Sequence, residues 1–403
     1  MSAPTGAAPP AAFNIKPLLF ASMACTMAMM AFVAVVAPIA RVLGLQPWQA
    51  GFTVTISGLL WMLLARVWGA ASDKHGRRPV LLFGVGGFIV SYTVLCLAID
   101  AALRTLPTLL LAFATLVLTR AAVGAFYAAV PAAGQALIAD HVPPAERAAA
   151  LASLGAANAV GLVLGPAAAA LLAQYSLSAP LYGMALLPLL AWAVLWRGLP
   201  RTPPRAASGQ PGVRLADARL RRPMAVAFVA MFAVGIAQIT VGFFALDRLG
   251  LEPAAAARVA GIALTVVGVA LVLSQMLVSR LKLAPLRLIR IGGLVAACGF
   301  GASVFVDSAV TLWACYFVAA AGMGWIFPAF SALAANAVQA HEQGTTAGSI
   351  GAAQGMGMVA GPLIGTLVYA AGPAMPYVLV AAMLLAMALW PTPAAGAVPA
   401  NPP

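Results

Sequence analysis

The sequence predicts an all-α integral membrane fold: twelve transmembrane helices set as two six-helix bundles related by a parallel pseudo-two-fold repeat. Three observations lead there. Hydrophobic residues make up 63% of the 403 and charged residues only 8%, a balance foreign to soluble domains of this size. Apolar runs of spanning length, which takes roughly 20 residues, recur as six, a polar break, and six. The second half also echoes the first residue by residue.

Taken in order, the apolar runs lie near 17–40, 49–71, 79–99, 106–130, 147–173 and 179–196, then 223–246, 254–279, 286–306, 309–335, 344–371 and 373–391. This divides the chain into a disordered cytoplasmic tail (1–16), an N-terminal bundle (17–196), a basic linker (197–222), a C-terminal bundle (223–391) and a second cytoplasmic tail (392–403). The first tail is Ala/Pro-rich with no basic leader, so it does not read as a signal peptide. The linker carries seven arginines, from Arg197 to Arg222, against Asp217. Pro203, Pro204, Gly209, Pro211 and Gly212 argue against a helix in its first half.

The repeat emerges on a shift of 196 residues. Glu146 then falls on Glu342, Gly155 on Gly351, Gly161 on Gly357, Gly165 on Gly361 and Pro166 on Pro362. Asp140 falls on Asn336 and Asn158 on Gln354.

The formal charge of +13 suggests a polyanion partner until the cations are placed. Of 22 Lys and Arg, 17 fall at the N-terminus, at helix ends or in loops on one side. Four, Arg41, Arg104, Arg248 and Arg258, fall on the other side, and Arg120 lies inside a span. That is the positive-inside bias of a membrane protein, not a nucleic-acid patch. It places both termini in the cytoplasm. Cys25, Cys96, Cys298 and Cys315 sit in apolar runs without metal-ligand spacing, and His75, His141 and His341 lie in loops with no paired ligand. No metal site, nucleophile constellation or phosphate-cradling loop is expected.

The most specific stretch is Gly69 to Pro79, G-x-x-x-D-x-x-G-R-R-P, between the second and third runs. Asp73, Lys74, Arg77 and Arg78 are too costly for hydrocarbon and belong at the water interface. Gly69 ends a span without a side chain, and Gly76 permits a tight turn at positive φ. This pattern resembles the signature loop between the second and third helices of the major facilitator superfamily of secondary transporters. The resemblance implies that Gly69, Asp73, Gly76, Arg77 and Arg78 form a conformational latch, with Asp73 joining the bundles when the protein is open outward. A carboxylate there would be favoured by the helix N-terminus expected near Gly344.

Two further motifs lie within spans. Gly161, Gly165 and Pro166 on the fifth helix, and Gly357, Gly361 and Pro362 on the eleventh, put small residues on one face four apart, which lets backbones meet closely in lipid. They resemble the antiporter motif of the family's exporters, with Ala169 and Ala170 where two glycines are usual. Arg120 and Gly124 resemble the R-x-x-x-G of the fourth helix, with Val123 where Gln is usual. The resemblance gives Arg120 a role in proton coupling or attraction of substrate charge.

None of the nine acids falls mid-span, so a cavity there is neutral to positive. Asp140 and Asp73 are the nearest proton-carrier candidates. Tyr127, Gln135, Asn158, Gln238, Thr240, Phe243, Tyr316, Trp325 and Gln354 are polar or aromatic residues placed to line that cavity. Met23, Met27 and Met30 make a stripe on the first helix that reads as core.

Together the three motifs resemble the twelve-helix, proton-coupled drug and metabolite exporters, multidrug, tetracycline-type and siderophore-type members among them. The resemblance implies a non-enzymatic protein of the inner (plasma) membrane, functional as a monomer in membrane lipid. It would export a neutral, zwitterionic or anionic small molecule, using protons as the energy source and no cofactor. Symport of an organic anion into the cell, and a transport-dead sensor on the same fold, are the alternatives.

Overall fold

A computed structural model describes residues 13–143, 146–200, 217–281, 283–339 and 342–391. Twelve long helices are formed by these residues. The first half contributes α1 (Lys16–Val42), α2 (Pro47–His75), α3 (Arg77–Thr105), α4 (Leu109–His141), α5 (Arg147–Leu172) and α6 (Ala179–Gly198). The second contributes α7 (Arg221–Asp247), α8 (Pro253–Leu281), α9 (Pro285–Gly301), α10 (Ala309–Asn336), α11 (Gln343–Val368) and α12 (Met375–Leu389). Eleven of these segments are long and apolar enough to cross a membrane, and α12 is a shorter apolar helix.

Local chemistry sets the ends. Proline occupies the first turn of α1, α2, α6, α9 and α12, where its missing N–H costs no hydrogen bond. Gly76, at φ 93°, is the whole of the α2–α3 turn. This corrects the expected hinge: Asp73, Lys74 and His75 are the last turn of α2, and Arg77 already begins α3. Arg66, counted by sequence at a helix end, lies inside α2. In α4, which extends well past the expected 130, Pro131 has no N–H to donate to the Tyr127 carbonyl, and the helical hydrogen bonding slips there without ending the span. The expected linker falls largely on residues 201–216, outside the described residues. So do His341 and most of both expected tails.

The first six helices pack as one bundle and the last six as another. Within the N-terminal bundle α1 packs on α5 and α6; within the C-terminal bundle α7 packs on α11. The glycines of the two Gly-Pro motifs explain these pairings. A Cβ on Gly161 would lie 2.8 Å from the Met23 carbonyl oxygen, and one on Gly165 would lie 2.6 Å from that of Met27. In the other half, a Cβ on Gly357 would meet the Phe228 carbonyl at 2.4 Å, and one on Gly361 the Phe232 carbonyl at 2.7 Å. The repeat is therefore physical: each half lays one glycine face against its own first helix. The Met23–Met27–Met30 stripe is the surface that α5 covers.

A contrast between two glycines of α11 tests this. Gly357→Ala forces a methyl into a backbone carbonyl and should destabilise by about 1–3 kcal/mol, as overpacking does. Gly351→Ala has nothing within 4 Å to meet and should be neutral or slightly stabilising by helix propensity. Thermal unfolding of the two detergent-solubilised variants reads the difference.

Candidate functional site

The bundles meet along two equivalent seams, α2 against α11 and α8 against α5. On α2, a Cβ at Gly51 would lie 2.6 Å from the Pro362 carbonyl oxygen and overlap Thr366, and one at Gly58 would touch Val359 at 3.3 Å. On α8, a Cβ at Gly261 would lie 2.6 Å from the Pro166 carbonyl oxygen and 2.7 Å from the Ala170 methyl, and one at Gly268 would overlap Val163. The alanines that stand in α5 where the exporter pattern has glycine are thus matched by a glycine on α8. A hydrogen bond from the Thr55 hydroxyl to the Val359 carbonyl, 2.8 Å, ties the first seam.

These contacts all lie towards the end of the molecule opposite Gly76. Followed towards the Gly76 end, the seams part. Gly69 is eighteen residues beyond Gly51, five helical turns at 3.6 residues per turn, so it faces the same way, yet nothing lies within 4 Å of it. Gly155 and Gly351, each three turns before the Pro of its motif, are equally open. Gly69, expected to end a span, lies six residues before the end of α2, and its bare face is uncovered in this conformation. The molecule is closed at the far end and open at the end carrying the Asp73–Arg78 turn.

A charge cluster locks the closed end. Arg41, at the end of α1, donates to Asp247, at the end of α7, at 2.5 Å. The Tyr369 hydroxyl, in the turn that follows α11, donates to the other oxygen of Asp247 at 2.9 Å. Sequence reasoning set Arg41 and Asp247 in outer loops and missed this latch. The available signal was opposite charges at matching ends of the two repeat-related first helices.

At the open end the expected latch residues stay within their own bundle. Arg77 pairs with Asp73 and, through Nε at 2.8 Å, with Asp140; it also donates to the Ser72 hydroxyl at 2.7 Å. One guanidinium thereby holds the ends of α2 and α4 to α3. Arg78 donates to the Trp196 carbonyl at the end of α6, at 2.6 Å. On the C-terminal side Arg219 bridges Asp217 and Glu342, 2.7 Å to each. Hydrogen bonds from Arg219 hold the Asp217 carboxyl below the usual carboxylate range.

Between the two ends, α1, α4 and α5 bring together a polar cluster. The amide oxygen of Asn158 accepts from Ser22 at 2.8 Å and from Thr26 at 2.9 Å, and the Thr26 and Tyr127 hydroxyls lie 3.0 Å apart. The Trp61 ring of α2 stands 6.2 Å from that of Tyr127. Tyr127 and Asn158 were expected from sequence; Ser22, Thr26 and Trp61 were not. Gln238 is half-buried on α7, and Gln354 is half-buried on the seam helix α11.

Other cavity candidates are corrected. Phe243 is fully buried against Tyr369, and Tyr316 is buried with Tyr377, to which it is hydrogen-bonded at 3.0 Å. Trp325 faces a small hollow between α8, α9 and α10. Arg120 is 1% exposed, not on an open surface. Its guanidinium sits 4.2 Å over the Phe32 ring, and Nη1 lies 3.6 Å from the Met29 sulfur. Nε is buried without a hydrogen-bond partner.

Two bundles that clasp along repeated glycine seams at one end and part at the other make a multi-pass membrane transporter. The chain belongs to the major facilitator superfamily, whose pattern it matches over residues 18–350 and again over 250–402. It is 28% identical over 343 residues to the tetracycline resistance protein, class C, of Escherichia coli, and 26% identical over 337 residues to the class G protein of Vibrio anguillarum. Each alignment covers 80% of both chains. Among solved structures, a bacterial homolog of the human lysosomal transporter Spinster, in an inward-facing and occupied conformation, superposes with TM-score 0.70 at 16% identity over 93% of both chains. The human organic anion transporter MFSD10 gives 0.64 at 19% identity, over 93% of this chain and 97% of its own. These likenesses carry the fold.

The gate geometry generates a directional test. Asp247→Asn weakens the far-end latch, and Gly51→Leu blocks the seam from closing. Both should shift the population towards far-end opening, Asp247→Asn by about 0.5–1 kcal/mol, or roughly 2–5-fold. Gly69→Leu fills a face that is open now and should shift it the opposite way. The readout is alkylation, from the far side, of a cysteine placed at Val359 in a background lacking the four native cysteines. Equal alkylation in all three variants would discard the gate.

Proposed function

We propose that the protein exports a small organic molecule from the cytoplasm by alternating access, driven by inward proton flow. The observation that carries this reading is the alignment, along 80% of the chain, with proteins of antibiotic resistance. In this orientation the Gly76 end is cytoplasmic, where the basic excess belongs, and the conformation described is open to the cytoplasm and ready to load. Asp73, Arg77 and the small faces at Gly69, Gly155 and Gly351 would close the cytoplasmic end in the opposite state.

The substrate class follows from charge. Among the described residues no carboxylate lies mid-span, whereas Arg120 does. Low dielectric lengthens the reach of that cation, so the interior favours neutral, zwitterionic or anionic molecules over lipophilic cations. Burial under α1 means that Arg120 acts on a substrate through its field, or after α1 moves, and not by direct pairing in this conformation. Proton coupling falls to the carboxylates at the gates: Asp73 and Asp140 on the cytoplasmic side, Asp247 on the other.

The test is export by a deletion strain complemented with wild-type or Arg120→Lys protein, scored with one cationic dye and one acidic compound. The wild type should clear the acid in preference to the dye. Lysine cannot reproduce the flat stacking of the guanidinium over Phe32, so Arg120→Lys should cost roughly tenfold, about 1.4 kcal/mol. Robust dye export unaffected by the substitution would overturn the charge argument, and inward flux of the acid would overturn the direction.

A further inference from the structure

One hollow lies away from the seams. It is a groove of about 890 Å³ on the N-terminal bundle, between α3, α4 and α6. The two seams and the α1 contacts with the second bundle use α1, α2, α5, α7, α8 and α11, so this groove lies on the outer face, where the surrounding medium is lipid. Its rim is exposed: Phe83 and Val90 at 65% each and Leu118 at 69%. The floor is made by Gly86 and Gly87. A Cβ on Gly87 would overlap the Phe126 ring, whereas one on Gly86 would stop 3.6 Å from Trp192 Nε1. The indole is pinned there by donating to the Leu82 carbonyl at 3.0 Å.

The groove has a polar head. Leu82, Gly86, Val90 and Val94 follow each other four apart on one face of α3, and Arg78 is the preceding member of that stripe. Arg78 is held by the Trp196 carbonyl, which leaves its Nε buried without a partner. The next residue, Arg197, is exposed, and Trp192 and Trp196 stand ring against ring, 5.0 Å between centroids. Tryptophan at this depth marks the headgroup level. From Leu82 to Val94 the groove runs about 18 Å at 1.5 Å per residue, close to the half-thickness, about 15 Å, of the hydrocarbon core. It therefore spans one leaflet.

We propose that this groove is a binding site for one anionic phospholipid of the leaflet at the Gly76 end. One acyl chain lies over Gly86 and Gly87, and the phosphate is held by Arg78 and Arg197. The two guanidinium groups favour a headgroup of net negative charge over a zwitterionic one, whose ammonium cancels the phosphate. Because Arg78 lies in the first turn of α3, two residues past Gly76, the occupant sits beside the expected latch. The site is independent of what the protein transports.

Native mass spectrometry of the full chain in mild detergent tests this, with phosphatidylglycerol or phosphatidylcholine of the same chains added. The wild type should retain one phosphatidylglycerol in preference to phosphatidylcholine, roughly fivefold for each arginine engaged. Arg197→Gln should lower phosphatidylglycerol retention towards the phosphatidylcholine level. Gly86→Leu, which fills the floor, should lose both lipids; Val90→Trp fills the groove from its exposed rim and repeats the test should Gly86→Leu fold poorly. Equal retention of the two lipids by the wild type would overturn the proposal. So would a phosphatidylglycerol preference that survives both groove-filling variants, since that is attraction to surface charge alone.

Discussion

Everything in this molecule depends on how closely two helix backbones can approach in a solvent that does not push them together. Lipid tails are as apolar as leucine, so spanning helices associate through close packing and hydrogen bonds. Here the approach is made at glycine, and α5 and α11 use it on two sides. One side of each, Gly161 and Gly165 or Gly357 and Gly361, grips the first helix of its own bundle. The other side, around Pro166 or Pro362, receives glycines from the opposite bundle. The carbonyls of Pro166 and Pro362 face that side, and a partner without a side chain is what can come near them. The same helix that holds a bundle together is thus the surface on which the bundles meet.

On the proposed alternating access, the difference between the two kinds of contact makes one permanent and the other reversible. Within a bundle the glycine faces run along the helices and are covered. Between bundles the contact is covered at one end and bare at the other, so closing one end costs the contact at the other and the net change is small. Charge decides the remainder. The Arg41–Asp247 pair is half-exposed, and such pairs contribute little, about 0–1 kcal/mol. A latch of that size biases an equilibrium without freezing it. The hydrogen bond from Tyr369 stays within the C-terminal bundle and holds the Asp247 carboxylate in place for Arg41.

Much of this was legible in the sequence because it is written in local pattern. Span count follows from apolar length, the α2–α3 turn from Gly76 between charges, and the two grips from Gly-x-x-x-Gly-Pro. What was not legible depends on which residues meet across the bundles. Arg41 and Asp247 lie 206 residues apart, and nothing local joins them. Gly51 and Gly58, like Gly261 and Gly268, are spaced by seven, a period that keeps one face on a partner helix, yet in a chain with 38 glycines such spacing is lost among the rest. Phe243 and Trp325 were expected at the cavity because they are large and lie in spans; their direction is fixed by packing that residue type does not encode. The contact between bundles expected of Gly69 and Asp73 is not made in this conformation.

Arg120 remains the most costly residue in the fold, and its cost is informative. A cation at mid-membrane is disfavoured by about 2.5–3.5 kcal/mol on insertion scales. Stacking over Phe32 offsets up to about 2 kcal/mol when water is excluded, and the Met29 sulfur is a weak acceptor. With Nε unpartnered, the arrangement stops short of full compensation. Hydrocarbon would have been cheaper for stability alone. A group kept at that cost, beside α1 and two turns from Tyr127 on the same helix, places a fixed positive potential at the wall of the Asn158–Thr26–Tyr127 cluster. A molecule bringing negative charge to that cluster recovers part of the deficit, whereas one bringing positive charge adds to it. On the proposed reading, selectivity by charge needs no carboxylate among the described mid-span residues, and proton coupling is left to the acids at the ends of the spans.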